Sequence, residues 1–194
     1  MTDLSGRVAI VTGAGKSLGR AYALGLAERG AAVVVNNRRH QGESDEQTSA
    51  AQVVAAIRAR GGRAVANYDE VEQAQAGENM VKAALAAFGR LDIVVANAAV
   101  PQAAAFHKTS VEDFRTIFDV GFYGTLHLLQ AAWPILRENG YGRIVTTTSS
   151  AGRFGNHGLT AYGAAKGAIE SLTRSLAAEG AARGIKANAI SPYA

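Results

Sequence analysis

The sequence predicts an α/β fold in which helices cover both faces of a parallel, doubly wound sheet of about six strands. Short apolar runs alternate with longer helical patterns from one end of the chain to the other. A strand that is buried on both faces is apolar throughout, and segments 8–12 and 32–36 show this pattern. No repeat, low-complexity tract or change in composition divides the chain. We therefore expect one domain, residues 1–194.

Each element follows from the same alternation, taken in chain order. The predicted strands are Val8–Thr12, Ala32–Asn36, Arg63–Asn67, Asp92–Ala96, Gly142–Thr148 and Lys186–Ile190. The predicted helices are Gly19–Arg29, Asp45–Arg60, Val71–Phe88, Val111–Asn139 and Ala161–Ala182. Most of these helices end near a glycine, and Ser110 with Asp113 forms a capping box at the start of the fourth helix. The polar stretch 38–48 is expected to be a surface loop before the second helix.

Composition narrows the classes of function. The chain has 194 residues, of which 48% are hydrophobic and 19% charged, as in a soluble α/β protein with a sizeable core. It contains no cysteine, which excludes disulfides and cysteine chemistry and favours the cytoplasm. We expect no membrane segment, no signal peptide and no metal site. The net charge of +4 comes from scattered basic residues, which argues against nucleic acid as a partner and weakly favours phosphorylated small molecules.

A glycine-rich turn follows the first predicted strand. The run Thr12-Gly13-Ala14-Gly15-Lys16-Ser17-Leu18-Gly19 lies between that strand and a helix, and a second buried strand follows. This unit seats a pyrophosphate on the helix N-terminus, where a Cβ would block the approach of phosphates to the backbone amides. The alternative of a P-loop needs a glycine at position 10, and Ile10 at this position argues against it. A turn that binds nothing remains the other alternative.

A tyrosine and a lysine stand four residues apart in the last predicted helix, so Tyr162 and Lys166 share one helix face. A free tyrosine has a pKa of about 10. A nearby positive charge favours the phenolate and would lower that pKa, which makes Tyr162 a candidate general acid or base. A core tyrosine beside a surface lysine is the plainer alternative.

Together these motifs resemble the short-chain dehydrogenase/reductase family. The resemblance rests on Thr12-Gly13 with Gly19, Asn97-Ala98, Ser149 and Tyr162-x-x-x-Lys166, in that order, with Ser149 13 positions before Tyr162. It extends from about Arg7 to Pro192. Segments 19–24, 64–69 and 154–156 are similar to the (3R)-hydroxyacyl-CoA dehydrogenase part of multifunctional β-oxidation enzymes.

This resemblance implies a Rossmann-type domain that transfers a hydride between a nicotinamide and a carbonyl or secondary alcohol, with a 3-oxoacyl or 3-hydroxyacyl thioester as the expected substrate. Tyr162 would exchange the proton with the substrate oxygen, and Ser149 would hydrogen-bond to that oxygen. Lys166 would lower the pKa of the tyrosine and hold the nicotinamide ribose. The family also implies a homodimer or homotetramer that pairs through the fourth and fifth predicted helices. The alternative function is a nucleotide-binding protein without catalysis.

The chain departs from the family pattern in three segments. Ser17 replaces the second motif glycine, and Ala96-Asn97-Ala98-Ala99 stands in place of Asn-Asn-Ala-Gly. Gly121 occupies a position where the family commonly has an asparagine, whose carbonyl holds a water linked to the lysine. We keep Gly121 with the catalytic set, because glycine retains that carbonyl; tight helix packing is the alternative reason for a glycine there.

The expected cofactor site combines the glycine turn with the ends of the central strands. Its predicted residues are Gly13, Lys16, Ser17, Leu18, Gly19, Asn37, Arg38, Asp69, Asn97, Ala98, Tyr162, Lys166 and Pro192. Asp69 would contact the adenine or, alternatively, cap a helix. His157 is expected to be a loop residue rather than a base.

The end of the second strand favours NADP(H) over NAD(H). An acid at this place would bind the ribose hydroxyls and repel a 2′-phosphate, but the chain has Asn36-Asn37-Arg38-Arg39. Two guanidinium groups and Lys16 are suited to a phosphate. A solvated basic loop is the alternative, and the resemblance to hydroxyacyl-CoA dehydrogenases favours NAD instead.

The family continues after the position of Pro192 with a substrate-covering loop, a helix and a seventh strand. The sequence therefore suggests either a C-terminally truncated domain or a short protein with an open sheet edge.

Overall fold

A parallel sheet of six strands forms the centre of the computed structural model, which describes residues 2–192. The strands are β1 (Val8–Val11), β2 (Ala32–Asn36), β3 (Ala64–Asn67), β4 (Ile93–Ala96), β5 (Gly142–Thr147) and β6 (Ile185–Ile190). Their order is β3-β2-β1-β4-β5-β6, and every pairing between neighbours is parallel. The order reverses between β1 and β4, so a crevice for ligands is expected at the carboxyl ends of these two strands.

Helices cover both faces of the sheet. They are α1 (Ser17–Ala27), α2 (Ser49–Arg58), α3 (Ala76–Phe88), α4 (Val111–Phe118), α5 (Gly124–Glu138), α6 (Ser150–Phe154) and α7 (Thr160–Gly180). Successive strand residues point to opposite faces, so Ile10 packs with Met80 and Leu136 on one side while Val11 packs with Ile57 on the other. Each fully buried aliphatic side chain of this kind contributes roughly 1.5–3 kcal/mol. The predicted doubly wound sheet is confirmed.

Two predicted helices begin later than expected. A short 3₁₀ turn, Asp45–Gln47, precedes α2, and Thr48 then leaves the helical conformation and caps α2 with its hydroxyl, which accepts a hydrogen bond from the Ala51 amide at 3.2 Å. The third helix starts at Ala76 rather than Val71, because residues 71–75 form turns. The short helix α6 was not predicted.

The long helix expected over residues 111–139 contains a change of helical pitch. The capping box at its start is present: the Asp113 amide donates to Ser110 Oγ at 3.1 Å, and the Ser110 amide donates to Asp113 Oδ2 at 2.8 Å. Between α4 and α5, residues Asp119–Tyr123 form a π-helical turn that includes Gly121. Such turns are frequent at functional sites.

A buried carboxylate joins β1 and β4 at their amino ends, opposite the crevice. Asp92 accepts hydrogen bonds from the Val8 amide at 3.0 Å, from Arg7 at 2.8 Å and from Arg90 at 2.7 Å. Burial by itself would raise the pKa of Asp92, but the hydrogen bonds from Arg90, Arg7 and the Val8 amide outweigh it and hold that pKa below its usual value. This network stabilises the fold and lies away from the crevice.

Over residues 2–192, no helix combines the length and the hydropathy that crossing a bilayer requires.

Candidate functional site

A cavity of about 560 Å³ lies at the carboxyl ends of the central strands. Every residue predicted to bind the cofactor lines it, except Pro192. The lining residues that were not predicted are Asn36, His40, Val71, Glu72, Ala99, Val100, Pro101, Val120 and Thr147. Both predicted motifs, the glycine turn and the Tyr162–Lys166 pair, therefore face one crevice, as the fold class requires.

The glycine turn is fastened to β4 by side chains that the strand order brings together. The Thr12 hydroxyl accepts hydrogen bonds from the backbone amides of Asn97 at 2.9 Å and Ala98 at 3.1 Å. The Asn97 side-chain amide returns a hydrogen bond to the Thr12 carbonyl at 3.1 Å. Gly13 has a φ of +61°, and a Cβ there would lie 3.0 Å from the Ala98 Cα, so only glycine fits. Asn97 thus holds the turn in shape.

Ser17, which departs from the family pattern, adopts a left-handed backbone with φ +49°. Within residues 2–192 it is the one non-glycine residue with positive φ. This conformation costs roughly 1–2 kcal/mol for a residue with a Cβ, and such strain clusters at functional sites. Ser17 is the first residue of α1, and it follows Lys16, whose exposed side chain reaches the same cavity wall.

At the end of β2, only one of the two predicted guanidinium groups lines the cavity. Arg38 is exposed and lies on the cavity wall. Arg39 instead forms an ion pair with Asp45 and lies over the ring of Tyr68, 4.9 Å from its centroid. His40 also lines the cavity and was missed, because alternation within a loop cannot be recognised from sequence alone. The expectation that both arginines face a phosphate is therefore wrong for Arg39.

Asp69 is held in place by amide side chains. Its carboxylate accepts hydrogen bonds from Asn67 at 2.6 Å and from Asn79 at 3.0 Å. The helix α3 begins only at Ala76, so the alternative that Asp69 caps this helix is wrong. The Asn36 side chain, which is buried, donates to Asn67 Oδ1 at 2.7 Å, and Asp69 and Glu72 are the acidic residues that line the cavity.

The tyrosine, lysine and serine are brought together by α7 and the end of β5. Lys166 is 2% exposed, and its ammonium donates to the Thr147 carbonyl at 2.6 Å. The ammonium lies 5.5 Å from the centroid of the Tyr162 ring. Ser149 caps α6, and its hydroxyl accepts from the Ala151 amide at 3.2 Å. The plainer alternative of a surface lysine is wrong, since Lys166 lies in the core.

The pKa of Tyr162 shifts in the direction opposite to the expectation. Burial raises this pKa above its ordinary value of 10.0, and the Ser149 side chain opposes the rise in part. Burial also lowers the pKa of Lys166 from 10.5 to about 8. The ammonium is directed to the Thr147 carbonyl rather than to the phenol oxygen, and this explains why it does not favour the phenolate here.

Two glycines let α6 approach α7 closely enough to bring Ser149 near Tyr162. A Cβ on Gly152 would lie 2.7 Å from the Gly167 amide nitrogen, and one on Gly163 would lie 2.8 Å from the Ala151 carbonyl oxygen. Distances this short do not occur in folded proteins, so larger residues would push the two helices apart.

Gly121 is buried at the centre of the π-helical turn, next to the cavity residue Val120. Its carbonyl oxygen accepts a hydrogen bond from the Thr125 hydroxyl at 2.9 Å. A Cβ on Gly121 would have ordinary room, with the Ala165 Cβ 4.0 Å away. The alternative that this glycine serves tight helix packing is therefore wrong.

Three predicted site residues do not line the cavity: Ser149, Gly121 and Pro192, which lies at the end of the described residues. His157 is exposed in the loop between α6 and α7, as expected for a loop residue.

The family of the chain is established by sequence comparison. A family model described as short chain dehydrogenase matches residues 7–194. The chain belongs to the short-chain dehydrogenase family, whose members are oxidoreductases.

Several named proteins are similar to the chain. A protein of Mycobacterium tuberculosis named short-chain type dehydrogenase/reductase is 48% identical over 196 residues, covering 100% of this chain and 68% of the relative. Peroxisomal multifunctional enzyme type 2 of Mus musculus is 47% identical over 191 residues, covering 97% of this chain and only 26% of that enzyme. The 3-oxoacyl-(acyl-carrier-protein) reductase of Synechocystis sp. is 36% identical over 192 residues, covering 99% of this chain and 75% of that reductase. The resemblance seen in the sequence is confirmed.

The fold agrees with a solved structure. A short chain dehydrogenase from Mycobacterium avium, known from a crystal structure, is similar with a TM-score of 0.93 and 37% sequence identity. The match covers 98% of this chain and 68% of that chain. The expected Rossmann-type fold is confirmed.

Proposed function

We propose that the chain transfers a hydride between NADP(H) and a carbonyl or secondary alcohol, with a 3-oxoacyl or 3-hydroxyacyl thioester as substrate. The observation that carries the proposal is that Tyr162 and Lys166 line the same cavity as the glycine turn. The name of the Synechocystis relative, a 3-oxoacyl reductase, supports the substrate class.

The residues of the cavity wall support the binding of a phosphorylated dinucleotide. Its wall contains the start of α1, where free backbone amides and the helix dipole favour an anion. Lys16 and Arg38 add positive charge, and the side chain after β2 is the neutral Asn37 rather than an acid. The residues after β2 that line the cavity, Asn37, Arg38 and His40, include no acid, which supports NADP(H) over NAD(H).

In this mechanism the nicotinamide supplies or accepts the hydride, and the chain supplies the proton and the orientation. Tyr162 keeps its proton at neutral pH, because burial raises its pKa, so it is ready to donate to the carbonyl oxygen of a substrate undergoing reduction. Ser149 hydrogen-bonds to the same oxygen and stabilises its developing charge. Lys166 would hold the ribose of the bound cofactor, and its ammonium, 5.5 Å from the centroid of the Tyr162 ring, would provide a positive charge beside the phenol. Gly121 contributes its carbonyl to the path that resupplies the proton.

The test is turnover of a panel of acyl thioesters, followed by the loss of NADPH absorbance. Tyr162→Phe is expected to lower kcat about 10²- to 10⁴-fold while NADPH binding, measured by fluorescence, is retained. Tyr123→Phe, an exposed tyrosine outside the cavity, is the matched control and should keep full turnover. NADPH binding with no turnover of any thioester by the wild-type protein would instead support the alternative, a binding protein without catalysis.

Assembly is proposed to pair α4, α5 and α7 with the same helices of another subunit, in a homodimer or homotetramer. Ile117 and Leu128 are buried within the chain, whereas Phe114, Phe118 and Phe122 are only half-buried. The half-buried aromatic side chains are available for such a contact. Sedimentation velocity tests it, and a single species at monomer mass would refute it.

We also propose the cytoplasm as the location, which fractionation of the source cells would test.

A further inference from the structure

The loop after β2, residues 37–48, is held by its own side chains. Asn37 Nδ2 donates to Ser49 Oγ at 2.9 Å, which ties the start of the loop to the start of α2. The His40 amide donates to Glu43 Oε2 at 2.9 Å, which closes the turn that follows. The cavity residues of this loop are therefore presented by an ordered segment.

Within this loop the three consecutive side chains 38, 39 and 40 alternate in direction. Arg38 and His40 line the cavity, while Arg39 between them contacts groups outside it. Side chains of an extended segment point to opposite sides in turn, so holding the middle residue on one side directs its two neighbours to the other.

Arg39 is held by two contacts from different parts of the chain. Its guanidinium pairs with Asp45, further along the same loop, and lies 4.9 Å from the ring centroid of Tyr68, directly after β3. The arginine therefore links two parts of its own loop and attaches the loop to the residue that follows β3. Tyr68 is half-buried and packs against the core on the α1–α2 face of the sheet.

We propose that Arg39 is a positioning residue for cofactor choice: anchored on Asp45 and Tyr68, it directs Arg38 and His40 into the cavity to contact the 2′-phosphate of the dinucleotide. This inference rests on the proposed preference for NADP(H). It also assigns His40 a direct specificity role.

Two substitutions distinguish a positioning role of Arg39 from a purely electrostatic effect on phosphate binding. Asp45→Asn removes a negative charge near the proposed phosphate site, so electrostatics alone predicts tighter binding of a phosphate. Positioning predicts weaker binding, because Arg39 loses its ion pair and the loop loses its anchor. Tyr68→Leu changes no charge and keeps apolar packing, so electrostatics predicts no effect and positioning again predicts a loss.

The experiment is titration calorimetry of the full chain with adenosine 2′,5′-bisphosphate and with 5′-AMP, which differ only in the 2′-phosphate. Asp45→Asn and Tyr68→Leu are each expected to weaken bisphosphate binding about threefold to tenfold and to leave 5′-AMP binding unchanged. His40→Ala should weaken bisphosphate binding similarly. Arg115→Gln is the matched control, because it breaks an exposed arginine–carboxylate pair on α4, outside this loop.

The outcomes distinguish this inference from the proposed function. If the wild-type protein binds both nucleotides equally, the preference for NADP(H) is wrong and the positioning role falls with it. If the wild-type protein prefers the bisphosphate but Asp45→Asn binds it equally well or more tightly, only the positioning role is overturned. Loss of bisphosphate affinity in Asp45→Asn and Tyr68→Leu, with Arg115→Gln unchanged, supports it.

Discussion

Lys166 keeps a charge in the core, so replacing it with methionine should stabilise the protein while removing activity. Burial lowers the pKa of this lysine from 10.5 to about 8, which corresponds to roughly 3 kcal/mol against the charged form. Methionine matches the apolar stem and carries no charge, but it leaves the Thr147 carbonyl without the hydrogen bond that the ammonium donates, a cost of about 1–2 kcal/mol. The expected net gain near pH 7 is therefore about 1–2 kcal/mol in the free energy of unfolding.

The same reasoning also predicts how the difference in stability between the variant and the wild-type protein changes with pH. Between about pH 8 and pH 10.5 the unfolded chain holds the Lys166 proton and the folded protein releases it, so the wild-type protein gains stability as the pH rises. The gap between Lys166→Met and the wild-type protein should therefore shrink above pH 8.

The assay is urea unfolding near pH 7 and again at about pH 9.5. Lys82→Met, an exposed lysine on α3, is the control and should change the unfolding free energy by less than about 0.5 kcal/mol. A Lys166→Met protein that is less stable than the wild-type protein near pH 7, or a gap that does not shrink with pH, would refute the reasoning.

Three further substitutions test other parts of the structure. Gly121→Ala should raise the unfolding free energy by about 0.5–1 kcal/mol in thermal denaturation, because the nearest atom to its Cβ, in Ala165, is 4.0 Å away; a loss would show that the π-helical turn requires glycine. Gly152→Ala should cost about 1–3 kcal/mol and reduce turnover, because its Cβ would separate α6 from α7; unchanged turnover would contradict the role of that close contact. Asp92→Asn should cost roughly 2–3 kcal/mol near pH 7. Because the pKa of Asp92 is lowered in the fold, its contribution is present at neutral pH and lost as the pH falls, so acid titration should bring variant and wild type together.

The fold and most of the cavity could be predicted because their signals are local. A buried strand, a glycine turn and a helix each leave a pattern within a few residues, and parallel strands must end at one edge of the sheet. Gly13, Asn97 and Lys166 therefore reach one cavity from distant parts of the chain, as expected.

The features that were missed depend on distant partners. Arg39 turns away from the cavity because Asp45 and Tyr68 hold it, and neither contact leaves a sequence pattern. The direction of the Tyr162 pKa shift depends on how deeply the ring is buried and on where the ammonium points. Spacing alone places the two groups on one helix face but determines neither quantity.

The hydrogen bonds between Thr12 and Asn97 join residues 85 positions apart. The first βαβ unit, although it contains the glycine turn, cannot shape that turn until β4 has docked beside β1. Nucleotide affinity should therefore emerge late in folding, after a long loop has closed, and a fragment that ends before β4 would make a poor nucleotide binder.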